Sequence, residues 1–255
     1  GDTGIRFCRA TNDENGNLLD EPGIDRVNWV EQGWNNPCDF PNTQQGIHDF
    51  EENFNSIIKT NTIWDPTKYL NIWISDCTNV LGFAYFPSGI SQYNSQFGSN
   101  NIEYITPTYK RTGVVVYAGI FGSNPIASSY NKGRIATHEV GHWLGLRHIF
   151  GDEECGNDYC EDTPFQMGGY NNSPIAGANF GCPPNPWQVN SCGVGSSQNG
   201  EMFMNYMDYT DDVCKYLFTN EQKIRMQTCM DYGTYRNPLQ YSIACCPFSD
   251  LKIIN

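Results

Sequence analysis

"RIATHEVGHWLGLRHIFGD" (residues 134–152) contains three of the four histidines of this 255-residue chain. His138 and His142 are four positions apart, a spacing that puts both side chains on one face of a helix, about 6 Å apart. Imidazole nitrogens are preferred ligands of Zn²⁺, which binds them at about 2.0–2.1 Å in tetrahedral geometry. The spacing therefore predicts a helical segment that presents two zinc ligands.

His148 can bind the same ion only if the helix ends before it. Ten residues of continuous helix would carry it about 15 Å along the axis and off the shared face. Gly145 stands where the chain must turn, and glycine adopts a left-handed backbone without the steric penalty of a Cβ. We therefore predict a helix, a sharp turn at Gly145 and a return of His148 to the ion. The alternative is a pair of core histidines beside a glycine helix cap.

Glu139 follows the first histidine, which places its carboxylate beside the ion without making it a ligand. Zinc lowers the pKa of a bound water toward neutrality, and Glu139 can accept the released proton and pass it to a leaving amine. This chemistry hydrolyses peptide bonds. The fourth histidine, His48, lies outside this group, and we interpret it as a surface or half-buried residue of another helix.

Composition favours a secreted globular protein. The net charge is −13 and 39% of the residues are hydrophobic, so a core can form and we expect neither nucleic acid nor a membrane as partner. Eleven cysteines without a CxxC zinc-finger spacing predict disulfides in an oxidising compartment, with one thiol left over. No apolar run is long enough to span a membrane. We expect a mature form from which a targeting segment, and any prosegment, have been removed.

Residue patterns predict an α/β (α+β) fold. Strand-like runs bounded by turn residues cover five segments, namely residues 4–10, 24–30, 68–75, 82–87 (an edge strand) and 113–121. Apolar residues at helical spacing predict three helices, at residues 44–60, 130–144 and 219–232. Thr219 and Gln222 fit a capping box at the start of the last helix. Residues 150–215 are rich in Gly, Pro, Asn and Cys, which predicts an irregular, cross-linked region.

The segment "HEVGHWLGLRH" (residues 138–148) matches the HExxHxxGxxH pattern of the metzincin zinc peptidases. Further segments resemble one branch of that class, the pappalysin family: "KYLNIWIS", "GFAYFP", "GVVVYAGIFG", "DTPFQ" and "MNYMDYTDD". The resemblance runs from about Ile5 to Tyr241. It implies a two-lobed metzincin-like fold with a twisted, mostly parallel sheet, an active-site helix and a loop-rich, disulfide-linked lower lobe.

The resemblance also implies one catalytic domain over residues 1–255. The upper subdomain would cover residues 1–144 and include the active-site helix, and the lower subdomain would cover residues 145–243, with a tail at 244–255. Substrate would lie extended along the edge strand of the upper lobe. We expect a monomeric endopeptidase that acts on proteins or peptides.

The same resemblance assigns roles to single residues. One zinc ion would be bound by His138, His142 and His148, with Glu139 as general base. Met207 would be the Met-turn methionine beneath the metal, and Tyr209 would donate a hydrogen bond to the developing oxyanion. Asp212 would lie at the base of the S1′ pocket, with Asp211 as a competitor for this role. An acidic residue there predicts cleavage before Arg and, less strongly, before Lys.

An acidic loop and several cysteines complete the comparison. "GDEECGNDYCEDTP" (residues 151–164) resembles a calcium loop for one or two ions, with Glu153, Asp158, Asp162 and Thr163 as candidate ligands and Glu154 as a further one. The implied disulfides are Cys155–Cys192 and Cys182–Cys214. This chain departs from the family at Cys160, which competes with Cys155 for a partner. Pairing stays open for Cys8, Cys38, Cys77, Cys229, Cys245 and Cys246.

Two other functions fit the motif. A secreted binding module can retain a zinc fold without catalysis, although such a protein has no need of Glu139. A zinc hydrolase can also act on a non-peptide amide or ester. The resemblance favours the peptidase over both.

Overall fold

A computed structural model of the chain describes residues 2–77, 80–87, 109–123, 129–167, 182, 191–193 and 199–245. Its helices are α1 (Gln44–Asn53), α2 (Arg134–Trp143) and α3 (Asn220–Tyr232). Its strands are β1 (Ile72–Ser75), β2 (Gly82–Ala84) and β3 (Val114–Tyr117). A π-helical stretch (Phe54–Lys59) and a last turn (Thr60–Thr62) extend α1, and 3-10 helices lie at Ala118–Ile120 and Asn237–Tyr241. None of the described helices is long and apolar enough to cross a membrane.

The three predicted helices are present, and the capping box of the last one is complete. Thr219 Oγ1 accepts a hydrogen bond from the Gln222 N–H at 3.2 Å. Gln222 Oε1 in turn accepts from the Thr219 N–H at 3.0 Å. This exchange satisfies two backbone donors that the first helical turn otherwise leaves free. The helix ends at Tyr232, directly before Gly233 as predicted.

The two strands predicted near the N-terminus are wrong. Residues 4–10 and 24–30 form turns and irregular backbone instead. Alternating side chains favour a strand only where one face becomes buried, and here Phe7 is 59% and Val30 62% exposed. The segment is attached to the C-terminal region by the Cys8–Cys245 disulfide and by the Thr11 N–H, which donates to the Ala244 carbonyl at 2.8 Å.

The three later strands form a small mixed sheet in the order β1-β3-β2. β1 runs parallel to β3, with Ile72 opposite Val114. β2 runs antiparallel to β3, with Phe83 opposite Val115. The "GFAYFP" segment therefore lies at an edge of the described sheet, as the sequence predicts, and β3 is its central strand.

Alternate side chains of β3 bury two cores on opposite faces of the sheet. Val114 and Val116 pack toward α2 and the residues that follow it. Val115 packs on the other face against Phe50 and Phe54, on α1 and its extension. The sheet thus lies between the two helices, and α2 takes its position from the inner face of β3.

The described residues between α2 and α3 contain no helix or strand, as the composition of residues 150–215 predicts. Two buried arginines, one on α3 and one just after it, connect the C-terminal part of the chain to the end of α2. Arg225 Nε donates to the Gly145 carbonyl at 2.6 Å, and Arg236 Nε donates to the Trp143 carbonyl at 3.0 Å. Both bonds satisfy carbonyl groups that the end of a helix leaves unpaired, where cations are also favoured.

Disulfides cross-link the irregular parts of the chain. The structure contains Cys155–Cys192 and Cys182–Cys214, the two pairs that the family resemblance implies. It also contains Cys8–Cys245 and Cys38–Cys77, which the sequence left open. Cys160 and Cys229 are buried free thiols, so Cys155 and not Cys160 pairs with Cys192. Cys246 lies outside the described residues, and the division into two subdomains stays a prediction.

Candidate metal centre

The backbone turns back at Gly145, as the histidine spacing requires. Gly145 has φ = 88°, the left-handed conformation that glycine adopts without steric cost. The N–H of Gly145 donates to the His142 carbonyl at 2.8 Å, and the N–H of Leu146 donates to the Gly141 carbonyl at 2.9 Å. The helix is closed by this turn, and the following residues return His148 to the face of α2.

The three histidines converge on one point. The Nε2 atom of His142 lies 3.1 Å from that of His138 and 3.1 Å from that of His148. Nitrogen ligands at tetrahedral positions around Zn²⁺ are about 3.3 Å apart, given bonds of about 2.0–2.1 Å. The spacing therefore fits three of the four ligands of a zinc ion. Among the described residues, this is the one group of three or more His, Cys, Asp or Glu side chains whose ligand atoms converge.

The second ring nitrogen of each histidine is held by an acceptor, which determines where the ring proton lies. The acceptors are the Tyr206 carbonyl for His138 (2.7 Å), the Leu146 carbonyl for His142 (2.7 Å) and Asp152 Oδ1 for His148 (2.5 Å). Because each Nδ1 must carry the proton to make these bonds, the three Nε2 atoms present lone pairs to one another. Such an arrangement is repulsive unless a cation lies between them.

Burial keeps the two helical histidines neutral. It lowers the pKa of His142 to about 3 and lowers the pKa of His138 well below its usual value. Neutral imidazole is the form that binds a metal ion. Burial in the core around α2 therefore favours the neutral, metal-binding form of His138 and His142.

Glu139 lies between α2 and β2, where Gly82 leaves space for it. A Cβ at Gly82 would be 2.8 Å from Glu139 Cγ and 3.0 Å from its Oε1. The side chain is 7% exposed. Burial raises the pKa of Glu139 to about 8, and the nearby Lys215 ammonium opposes this rise.

Met207 lies directly beneath α2 and is fully buried. A Cβ at Gly141 would be 2.5 Å from Met207 Sδ, so the absence of a side chain on the helix allows the close approach. The Met207 N–H donates to Asn205 Oδ1 at 2.9 Å, and its carbonyl accepts from the Ile149 N–H at 3.1 Å. The methionine thus packs under the helix that carries two of the histidines.

Tyr209 lies beside the histidine group. Its ring centroid is 4.6 Å from that of His148 and 5.9 Å from that of His138. It also packs against Phe150, with the ring centroids 5.2 Å apart. These contacts put the tyrosine next to the same point that the Nε2 atoms face.

Asp212 is fully buried at the start of α2. Its Oδ2 accepts hydrogen bonds from the N–H groups of Lys132 at 2.9 Å and Arg134 at 3.1 Å. Its Oδ1 is buried without a hydrogen-bond partner. Asp211 is also buried, at 7% exposure. The buried oxygen without a partner belongs to Asp212, the residue to which the family resemblance assigns the S1′ role.

The acidic loop assembles only part of the proposed calcium set. Thr163 Oγ1 donates to Asp158 Oδ1 at 2.8 Å, and Asp158 Oδ2 is buried without a partner. Burial raises the pKa of Asp158 to about 6. Asp162 Oδ2 instead accepts from the Glu221 N–H at 2.9 Å. Glu153 and Glu154 are exposed.

Two residues near the histidines were not singled out by the sequence patterns. Asp152 accepts a hydrogen bond from His148 Nδ1. The sequence feature that could have identified it is an acidic residue four positions after a predicted ligand. Lys215 is 1% exposed, and its ammonium interacts most strongly with Asp212 and then with Asp208. Its signal was a lysine inside the apolar and aromatic stretch "VCKYLF" (residues 213–218).

The fold and the three-histidine group have the form of the metzincin class of zinc peptidases. A model of the M43 peptidase family, described as pregnancy-associated plasma protein-A, matches residues 52–231. The chain therefore belongs to this family, the pappalysins.

Curated relatives from fungi support the same assignment. An extracellular metalloprotease of Colletotrichum graminicola is 35% identical over 161 residues, which are 62% of this chain and 48% of the relative. An extracellular metalloprotease of Sordaria macrospora is 36% identical over 162 residues, 62% of this chain and 47% of the relative. The chain thus spans about half the length of the curated relatives that it matches.

Solved structures with the same fold are also similar in sequence. Mirolysin in complex with compound 9 is 34% identical, with a TM-score of 0.65 over 96% of this chain and 77% of that one. A Tannerella forsythia promirolysin variant is 33% identical, with a TM-score of 0.66 over 96% of this chain and 68% of that one. Both likenesses cover 96% of the chain.

Zinc should stabilise the folded protein through the histidine group. Adding Zn²⁺ to metal-depleted protein should raise the unfolding temperature, with about 2.7 kcal/mol of stabilisation when free Zn²⁺ is about 100 times its Kd. His142→Ala should abolish this rise. His48→Ala, which removes an exposed histidine of α1, should retain it. Thermal unfolding measures both, and zinc stabilisation of His142→Ala equal to that of the wild type would contradict the assignment.

Proposed function

We propose that this chain is the catalytic part of a secreted, zinc-dependent endopeptidase that hydrolyses peptide bonds in proteins or peptides as a monomer. The observation that carries the proposal is the convergence of three Nε2 atoms, with that of His142 3.1 Å from each of the other two. Each lies on a ring whose Nδ1 proton is already engaged. The extracellular assignment is supported by the names of the fungal relatives and by the disulfides.

The chain's own residues supply binding, orientation and proton transfer. Zn²⁺ when bound polarises the scissile carbonyl and makes water more acidic. Glu139, adjacent to the first ligand and held against Gly82, accepts the proton of the attacking water and delivers it to the leaving amine. Tyr209, whose ring lies beside that of His148, donates a hydrogen bond from its hydroxyl to the oxygen on which negative charge develops.

Removing the carboxylate of Glu139 should abolish proton transfer and leave the metal site in place. Glu139→Gln should lower kcat about 10²–10⁴-fold, the usual contribution of a general base, while zinc binding stays unchanged. Glu31→Gln, at an exposed position, should behave as wild type. Peptide cleavage and zinc titration measure the two effects.

Two results would count against this assignment. If Glu139→Gln cleaves as fast as wild type, Glu139 is not the general base. If zinc-loaded wild-type protein cleaves no peptide bond, the non-catalytic binding module or a hydrolase of other amides and esters is favoured instead. Mass spectrometry of a digested mixed proteome detects peptide cleavage without a prior choice of substrate.

We further propose that Asp212 recognises Arg, and less strongly Lys, at P1′. Its buried Oδ1 has no hydrogen-bond partner, whereas Oδ2 is already engaged by two backbone N–H groups. A guanidinium that reaches Oδ1 would form a charge-assisted hydrogen bond in a buried setting. The supporting observation is this unsatisfied oxygen.

Lys215 sets a limit on that preference. Its ammonium is buried and interacts electrostatically with Asp212. No ion pair within 4.0 Å among the described residues includes Lys215, so Asp212 is not directly paired with it. A resident positive charge near the carboxylate weakens the attraction for a second one. The preference for Arg at P1′ should therefore depend on the attraction by the Asp212 carboxylate and the repulsion by the Lys215 ammonium.

Opposite substitutions at these two positions should move selectivity in opposite directions. Asp212→Asn should reduce kcat/KM for peptides with P1′ Arg about 10- to 100-fold relative to peptides with P1′ Leu, because a hydrogen bond to a charged group is worth about 1.5–3 kcal/mol. Asparagine keeps an oxygen for the two backbone N–H groups. Lys215→Met should increase the Arg/Leu ratio. Matched peptides measure both, and an Arg/Leu ratio unchanged in Asp212→Asn would refute the role of Asp212.

The acidic loop is proposed to bind Ca²⁺, with Asp158 and Thr163 at its centre and Glu153, Asp162 or Glu154 completing the ligands. The support is the buried, unpartnered Asp158 Oδ2, because hard oxygen atoms are what Ca²⁺ prefers. Ca²⁺ should raise the unfolding temperature of the zinc-loaded protein, and Asp158→Asn should reduce this rise. Glu31→Gln should retain it. Thermal unfolding with and without Ca²⁺ tests this, and no shift in wild type would remove calcium from the proposal.

A further inference from the structure

The three histidines are not held in the same way. His138 and His142 donate their Nδ1 protons to backbone carbonyl groups. His148 donates to a side-chain carboxylate, Asp152 Oδ1, at 2.5 Å. A backbone acceptor is neutral and moves only with the fold, whereas a carboxylate is charged and belongs to one replaceable side chain. The orientation of His148 therefore depends on the side chain of Asp152, whereas His138 and His142 depend on no such side chain.

The backbone around Asp152 is held in an unfavourable conformation. Asp152, Cys155 and Tyr159 have φ values of 66°, 57° and 64°, in the left-handed region. Residues other than glycine meet a steric penalty in this region, which aspartate tolerates better than most. Gly151 has φ = 70°, and a Cβ there would lie 2.3 Å from the backbone nitrogen of Asn157. Strain of this kind persists only where surrounding contacts hold it, and it is concentrated at functional sites.

Several contacts hold this loop against the metal centre. Cys155 is joined to Cys192 by a disulfide, and the Gly156 N–H donates to the Phe150 carbonyl at 3.0 Å. On the other side of the carboxylate, Arg147 Nη1 lies 3.7 Å from Asp152 Oδ2. The Asp152 side chain is 39% exposed, so these partners rather than deep burial position it.

An aromatic contact also fixes the plane of the His148 ring. The ring stacks on Phe150 with the centroids 4.9 Å apart and the planes 5° from parallel. Stacking sets the plane of the ring but leaves open which edge points at the metal. The hydrogen bond to Asp152 removes that freedom, because it directs Nδ1 outward and Nε2 toward the other two histidines.

We propose that Asp152 is the positioning residue of the third ligand, and that this aspartate sets how tightly the centre retains Zn²⁺. The inference rests on the proposed zinc site. A carboxylate on the outer nitrogen of a ligating histidine fixes its tautomer and increases its basicity, and loss of such a partner typically costs 10- to 100-fold in metal affinity. Asp152 acts through His148 and touches neither the metal nor the substrate.

The test measures zinc affinity directly by competition with a chromophoric chelator. Asp152→Ala should raise the Kd for Zn²⁺ about 10- to 100-fold. Asp152→Asn, which keeps an oxygen acceptor but loses the charge, should give an intermediate Kd. Asp2→Asn should leave the Kd unchanged, since it removes an exposed carboxylate that is paired with Arg6 far from the histidines in sequence. His148→Ala gives the affinity of the site without the third ligand.

A second readout separates positioning from a general loss of structure. The visible absorption of Co²⁺-loaded protein reports the geometry of the ligands, and Asp152→Ala should change it while Asp2→Asn should not. The unfolding temperature in the presence of chelator should stay close to that of wild type for Asp152→Asn. A Kd for Asp152→Ala within twofold of wild type, with an unchanged Co²⁺ spectrum, would overturn the inference and leave the zinc site intact. Wild-type protein that binds no Zn²⁺ would instead overturn the proposed function.

Discussion

Three imidazole lone pairs directed at one point are the constraint on which the rest of the site depends. They meet because α2 stops at Gly145 and the chain returns, which requires the left-handed backbone at that residue. The turn is held from outside by two arginines, which donate to the Gly145 and Trp143 carbonyls. Residues in the C-terminal part of the chain thereby stabilise a turn that lies 80 and 93 positions earlier.

Two small residues let neighbouring elements approach α2. Gly141 admits Met207 beneath the helix, and Gly82 admits the Glu139 side chain between the helix and the sheet. In each case a Cβ would lie within 2.8 Å of the partner atom, inside any real contact. Space at a glycine thus positions Met207 beneath the helix and also Glu139, the proposed general base, so the site depends on close packing.

Local sequence patterns correctly predicted the helices and strands whose apolar side chains are buried in the structure. The apolar run of β3, the periodicity of α1 and the capping residues of α3 all produced the expected structure. The alternating segments at residues 4–10 and 24–30 did not become strands, because no described strand pairs with them and their apolar side chains stay exposed. Alternating apolar and polar side chains are compatible with a strand, but the strand forms only if another strand of the fold pairs with it.

The sequence by itself predicted which three histidines converge, since with a spacing of four and then six they can meet only if the helix ends at the glycine between them. Tertiary structure alone decided which groups surround them. Folding brings together the partners of Cys8 and Cys38, which lie 237 and 39 positions away. The conformation of a short loop decides that the Asp152 carboxylate reaches the third histidine. Contacts between distant segments, or across a strained loop, follow no period along the chain, and so no pattern of spacing announces them.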